Sequence, residues 1–229
     1  DEALDYISDK LKAIIKKDGA RAIALSDRGG PFRDIHRSFL RALGSPNYYN
    51  HDCTCARNVQ HAALSLFGSG RKTFNYDYGN CKPLVLYGRN VFESLRVKAA
   101  GKIIELLDKG GKITYIDPRA AGTAMKATRY WAIRPGTDYA LNLGIIHTVL
   151  REKLYDTEFV KQWVLGLKEL ESFVVPYTPE WAAQETGIPA DEIIAFAHEI
   201  AEDRPAVIFH PGWMVARYLD SFYAIRSIY

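Results

Sequence analysis

The sequence predicts an α/β fold of two three-layer units with mostly parallel sheets, and three observations carry that expectation. Pro83-Leu84-Val85-Leu86-Tyr87 is a short apolar run of the kind buried on both faces of a parallel sheet. A helical pattern follows from Val91 to about Asp108, with Phe92, Leu95, Ala99, Ile103, Leu106 and Leu107 near helical spacing. After Gly110-Gly111 comes a second apolar run, Lys112 to Ile116, closed by Asp117-Pro118-Arg119. Strand, helix and strand in that order make a βαβ unit. Its parallel strands put both turns at one sheet edge, where open α/β sheets hold ligands.

The other elements extend this pattern on both sides. Glu2 to about Lys17 is amphipathic, with Leu4, Ile7, Leu11, Ile14 and Ile15 on one helical face, and Asp18-Gly19 ends it. Arg21 to Leu25 reads as a strand, Ser26 to Gly30 as a flexible turn, and Phe32 to Leu43 as a helix closed by Gly44-Ser45-Pro46. Asn47 to Thr54 reads as a loop. Cys55 to about Phe67 is the next helix, capped by Gly68. Beyond the central unit, Arg129 to Ile133 is a third short strand, and Arg134 to Asp138 a turn. Helices follow at Tyr139 to Arg151, Thr157 to Val164, Pro179 to Glu185 and Pro189 to about Glu202; Lys168 to Val175 is helical or irregular. Ala206 to Phe209 is a last strand before His210-Pro211-Gly212, and the tail from Arg217 is amphipathic. Its stop at Tyr229 without a cap, together with an opening inside a helical pattern, makes both ends look cut from a longer chain.

Composition narrows the class. The 229 residues are 48% hydrophobic and 25% charged, values of a globular chain with a real core. A net charge of +3 without any Lys/Arg tract gives no nucleic-acid footprint. No apolar run approaches the roughly 18 residues of a membrane span, so no direct membrane insertion is expected. The three cysteines, Cys53, Cys55 and Cys81, form no even framework and no CxxC pair, which argues against a disulfide scaffold or a complete zinc or iron–sulfur site.

The turns carry the chemistry. Gly88 allows backbone to approach a phosphate, with a helix N-terminus behind it, and Asp117 can accept from a ribose or base. A GxGxxG fingerprint is absent. Nucleotide binding and a plain α/β core with structural turns both fit this pattern. Cys55 opens a helix, where unpaired N–H groups and the dipole favour a thiolate; a purely structural cysteine fits the same position, and Cys53 is a rival. His51 precedes it by four residues and is either a hydrogen-bonding partner of whatever meets the sulfur or a loop histidine. Gly29-Gly30 is a second glycine-rich turn, or a tight surface turn. His210 and Arg217 are weaker pocket candidates.

Three segments in order resemble the molybdopterin oxidoreductases of the dimethyl-sulfoxide-reductase type. They are Gly88-Arg89-Asn90-Val91-Phe92-Glu93, then Ile116-Asp117-Pro118-Arg119, then Ile133-Arg134-Pro135-Gly136-Thr137-Asp138. The phrases Arg41 to Pro46, Arg129-Tyr130-Trp131 and Glu180-Trp181 through Pro189 look closest to catalytic subunits of polysulfide and thiosulfate reductases. The resemblance implies a Rossmann-like core holding molybdenum or tungsten on two molybdopterin guanine dinucleotides, with Cys55 as the metal's thiolate and His51 above it. It places Gly88, Asn90, Glu93, Asp117, Arg119, Pro135, Gly136 and Asp138 along one dinucleotide, and Gly29, Gly30, Gly212 and Trp213 along the other. The implied division is a discontinuous unit of residues 1–54 plus 200–229, with strands at Ile23 and Val207 adjacent, and an inserted unit of residues 55–199. The implied reaction is two-electron reduction of a small inorganic sulfur substrate, polysulfide or thiosulfate. Arsenate, tetrathionate and sulfite enzymes share the architecture, and a non-catalytic nucleotide- or pterin-binding domain is the competing class. A 4Fe-4S cluster belongs to an amino-terminal region absent here. An iron–sulfur electron-transfer subunit, a membrane anchor subunit and a periplasmic or other extracytoplasmic location complete what the resemblance implies.

Overall fold

The computed structural model describes residues 1–28, 30–51, 55, 57–70, 74–94 and 97–229. By internal contacts the chain forms two compact units, Asp1–Cys55 and Ala56–Tyr229.

The first unit opens with α1 (Glu2–Asp18), ended by Gly19 at φ 80°, whose N–H bonds to the Ile15 carbonyl. A single 3-10 turn at Ala20–Ala22 occupies part of the strand expected at Arg21 to Leu25, and β1 is Leu25–Asp27. α2 is Arg33–Ala42. β2 (Tyr48–Asn50), expected as loop, pairs in parallel with β1. Side chains fix this short ladder: the Tyr48 hydroxyl donates to both Asp27 oxygens (2.9 and 2.8 Å), and His36 Nδ1 lies 2.9 Å from Asp27 Oδ2.

The second unit is a four-stranded, wholly parallel sheet between helical layers. Its strands are β3 (Pro83–Tyr87), β4 (Lys112–Ile116), β5 (Arg129–Trp131) and β6 (Ile208–Pro211), in the order β5-β4-β3-β6. Alternation along β3 divides the core. Leu84 and Leu86 face Ile103 and Leu106 of α5 (Val97–Asp108), while Val85 and Tyr87 face the opposite layer. That layer is built from α3 (Arg57–Phe67), α6 (Asp138–Arg151), α9 (Pro179–Thr186), α10 (Ala190–Glu202) and α11 (Ser221–Ile228), all contributing to one apolar cluster. Each fully buried aliphatic side chain contributes about 1.5–3 kcal/mol relative to exposure. Leu84, Leu86, Ile103, Ile113, Ile116, Leu141 and Ile193 are each 0% exposed, so the sheet and α6 are the most firmly held part.

Helix α6 is buried nearly all round, and Gly144 explains how it fits. A Cβ there would lie 2.7 Å from the Ala182 Cβ, so the missing side chain lets α6 approach α9 closely. Thr178 caps α9 by accepting from the Trp181 N–H at 3.3 Å. Pro189, expected as the first helical residue, instead stands at the cap of α10, which begins one residue later. The remaining helices are α4 (Val91–Ser94), α7 (Thr157–Trp163) and α8 (Leu167–Val174). Among the described residues no helix is long and apolar enough to cross a membrane.

One expected pairing is corrected. The strand near Val207 does not join the strand near Ile23: β6 pairs with β3, Leu84 opposite Ile208 through Tyr87 opposite Pro211, and β1 pairs with β2. The reason is the free edge of β3, whose other side is taken by β4, while α11 packs its Ala224 and Ile225 beneath the same sheet. Residues 200–229 accordingly sit in the second unit, with 56–199, and not with 1–54.

Candidate cofactor site

The chain runs from β3 to β4 to β5 across the sheet, then returns to place β6 on the far side of β3. The order of strands reverses between β3 and β6, and a crevice opens at such a point outside the carboxyl ends. Glycines line it. Gly88 follows β3 at φ 55° and donates its N–H to the Ile116 carbonyl at 2.8 Å. Gly212 follows β6 and donates to the Tyr87 carbonyl at 2.7 Å. A Cβ on Gly212 would stand 2.2 Å from the Gly88 oxygen, so the two turns meet backbone to backbone.

The turn after β3 is tied to the loop after β4. Thr123, 0% exposed, donates from Oγ1 to Asn90 Oδ1 at 2.7 Å and accepts from the Phe92 N–H at 3.4 Å. With Oδ1 accepting from Thr123, Nδ2 is the donor end of the Asn90 amide. Glu93 Oε1 accepts from the Gly122 N–H at 2.8 Å, and Glu93 Oε2 lies 3.6 Å from Arg119 Nη2. Glu93 thus holds the loop that carries Arg119.

Two acids end this edge. Asp117 accepts from the Arg119 N–H (2.8 Å) and from the Tyr115 hydroxyl (2.9 Å), which together fix its carboxylate. Asp138, the first residue of α6, is 5% exposed and accepts from the Tyr218 hydroxyl at 3.1 Å. Burial pushes the Asp138 pKa up, the Tyr218 hydrogen bond works against that, and the Asp117 charge adds to it. Burial also holds the Tyr218 hydroxyl protonated far above neutral pH. Pro135 and Gly136, at φ 82°, form an exposed turn ahead of α6, fixed by the Thr137 hydroxyl donating to the Arg134 carbonyl at 2.7 Å.

His210 lies at the end of β6, its ring stacked 4.3 Å from that of Tyr76. Burial and the nearby Arg89 charge lower its pKa to about 4, so it is a neutral ring at ordinary pH. Arg89 itself is half-buried and its Nε has no hydrogen-bond partner among the described residues. Trp213 is half-buried beside Gly212.

The structure therefore gathers Gly88, Asn90, Glu93, Asp117 and Arg119 through named hydrogen bonds, and Gly212 with Gly88 through backbone contact. Gly30, His51 and Cys55 belong to the first unit. Gly30 is exposed at φ 127°, His51 is exposed, and Cys55 is half-buried in a turn two residues ahead of Arg57, where α3 begins. Gly29 and the rival Cys53 lie outside the described residues. Sequence reasoning missed Tyr218 and Thr123; neither carries a local motif, since each acts on a residue 80 or 33 positions away. Among the described residues no three His, Cys, Asp or Glu side chains converge as a metal cage.

Known proteins carry the same architecture. Residues 1–221 match the family model described as molybdopterin oxidoreductase. The chain is 33% identical over 211 residues to the thiosulfate reductase molybdopterin-containing subunit PhsA of Salmonella typhimurium, covering 92% of this chain and 27% of that protein. It is 34% identical to the acetylene hydratase of Syntrophotalea acetylenica, over 99% of this chain and 31% of that protein. Formate dehydrogenase H of Escherichia coli is 31% identical over 100% of this chain and 32% of its own length. The solved structure of acetylene hydratase from Pelobacter acetylenicus superposes with a TM-score of 0.79 at 31% identity, over 99% of this chain and 31% of that one. The chain thus spans about a third of these relatives or less. A parallel sheet with two glycine turns meeting at its switch point and a family match across nearly every residue lead to one conclusion: this chain belongs to the molybdopterin oxidoreductase family.

Proposed function

We propose that the chain is part of the catalytic core of a molybdenum or tungsten enzyme that holds two molybdopterin guanine dinucleotides and reduces thiosulfate or polysulfide. The observation that supports it most is the meeting of Gly88 and Gly212. Their missing side chains let the two turns close on each other at the carboxyl ends of β3 and β6, where an open parallel sheet holds its ligand, and the donors and acceptors at the same sheet end suit a phosphate, a ribose and a base. Asn90 and Glu93 are assigned to the pyrophosphate or pterin side, Asp117 and Arg119 to the ribose and guanine, and Asp138 to the guanine N–H groups. Gly29, Gly30 and Trp213 are assigned to the second dinucleotide on the family resemblance.

When bound, the cofactor supplies a two-electron couple at its metal. Cys55 would supply a soft thiolate ligand, which suits molybdenum or tungsten. His51 would serve as hydrogen-bond donor or proton relay to the substrate sulfur. The reaction balances: thiosulfate, two electrons and one proton yield hydrosulfide and sulfite as the S–S bond breaks. Polysulfide shortens by one sulfur with the same count. Thiosulfate is preferred because PhsA is a named thiosulfate reductase subunit and aligns over 92% of this chain. Electrons reach such a core from a 4Fe-4S cluster and an iron–sulfur partner subunit, with a membrane anchor subunit.

Metal analysis of the purified protein tests this. Wild type should contain molybdenum or tungsten and release GMP on acid hydrolysis, and Cys55→Ala should lose metal. Reduced wild type should release sulfide from thiosulfate. A second reading, hydration of acetylene, follows from the likeness to the protein named acetylene hydratase. Acetylene turnover without sulfide release would select it, and a protein that carries neither metal nor GMP would sink both.

A further inference from the structure

We propose that Tyr218 is a positioning residue for guanine recognition, its hydroxyl holding the Asp138 carboxylate in place to receive the paired N–H donors of the base. This rests on the guanine dinucleotide reading above and adds to it a residue that touches no cofactor.

The geometry carries the argument. Asp138 opens α6, and Tyr218 lies between the single 3-10 turn at Met214–Ala216 and α11, so the connection after β6 brings the hydroxyl to the helix start. The contact is 3.1 Å to Oδ2, spans 80 residues, and is made where Asp138 is 5% exposed. A carboxylate offers about four lone-pair sites, and one O–H donor leaves room for a ligand. Guanine presents N1–H and an exocyclic amino group side by side, which matches a carboxylate. Hypoxanthine lacks the amino group, and adenine presents an acceptor at N1. With only the Asp138 backbone N–H left as a donor, a carboxylate this buried would turn or take up a proton more readily. Three groups face it: Tyr218, Asp117 from the end of β4, and Tyr87 from β3. Tyr87 gives its own proton to Asn142 Oδ1 at 2.6 Å, which leaves Tyr218 as the side-chain donor to Asp138 among the described residues.

The test is calorimetric titration of GDP and IDP into the cofactor-free full chain between about pH 5 and about pH 8. Wild type should prefer GDP, and Asp138→Asn should abolish the preference. Tyr218→Phe keeps the ring and should weaken GDP binding about tenfold, the loss expected for one hydrogen bond to a charged group. It should also move the pH below which GDP binding fails upward, because the lost bond lowers the Asp138 pKa. In the Asp138→Asn background the same change should cost GDP nothing further. A wild type without GDP preference overturns the guanine reading. A wild type that prefers GDP, with Tyr218→Phe leaving the GDP/IDP ratio and pH midpoint unchanged or adding its loss independently of Asp138, overturns the role of Tyr218 alone.

Discussion

Gly212 gives its N–H to the carbonyl of Tyr87 at 2.7 Å, and at this point the backbone after β6 comes within contact of the backbone after β3. This one bond continues the β3–β6 ladder past its last strand pair, at the sheet end where the candidate site residues gather. The packing of the sheet and the shape of the site are therefore the same fact.

Gly212→Ala should break both. The new Cβ would stand 2.2 Å from the Gly88 oxygen and 2.5 Å from the Tyr87 oxygen, and neither backbone atom can rotate away. Expected are a loss of about 1–3 kcal/mol in urea unfolding, as for an overpacked core, and a fall in metal content of the purified protein. Gly88→Ala meets Val215 Cγ1 at 3.3 Å and an unfavourable φ of 55°, so it should cost about 1–2 kcal/mol through its backbone.

How much of this could be read from the chain depends on sequence distance. Pro83 to Tyr87 and Lys112 to Ile116 were legible because a fully buried parallel strand is an uninterrupted apolar run. Tyr48 to Asn50 was not. Its three residues show no alternation, and what holds them is a Tyr48–Asp27 bond that forms only after the chain returns. The partner of the last strand was misassigned for a similar reason, since Ala206 to Phe209 carries no mark of which free edge it will meet. At the site, the turn glycines and acids declared themselves, while Tyr218 and Thr123 did not. A residue that orients another across the fold has no pattern of its own.

His210 should make stability depend on pH. Its pKa falls from 6.5 to about 4 on folding, through burial and the Arg89 charge. Between those values the unfolded chain binds a proton that the folded one refuses, so stability is lost as pH drops through that window. His210→Phe keeps a ring against Tyr76 and removes the titration. Comparing urea midpoints at pH 7 and near pH 4, the variant should lose less stability than wild type, by on the order of 3 kcal/mol.

Asp138 has the opposite sign. Its pKa is raised on folding, so the contribution it makes is fully present below the unfolded value and is lost as pH rises through the folded one. The ionised carboxylate therefore costs stability at neutral pH. Asp138→Asn should raise the melting temperature of the cofactor-free protein at pH 7, with the gain shrinking toward pH 4, while guanine nucleotide binding falls. A variant that is less stable at pH 7 and unchanged in nucleotide binding would contradict both.

Tyr87→Phe tests the polar thread behind the site. The Tyr87 hydroxyl, fully buried, donates to Asn142 Oδ1 at 2.6 Å, and Asn142 Nδ2 donates to Ser227 Oγ at 2.9 Å, joining β3, α6 and α11. Removing the hydroxyl leaves the Asn142 oxygen buried without a donor, which should cost about 1–3 kcal/mol in urea unfolding. Asn142→Leu in the same background removes the stranded oxygen and should restore part of the loss, because an unmade bond is costlier than an absent one. Since Tyr87 does not bond to Asp138, neither change should alter the preference for GDP over IDP. Thermal melts and nucleotide titrations on the same samples therefore separate the scaffold from the recognition it supports.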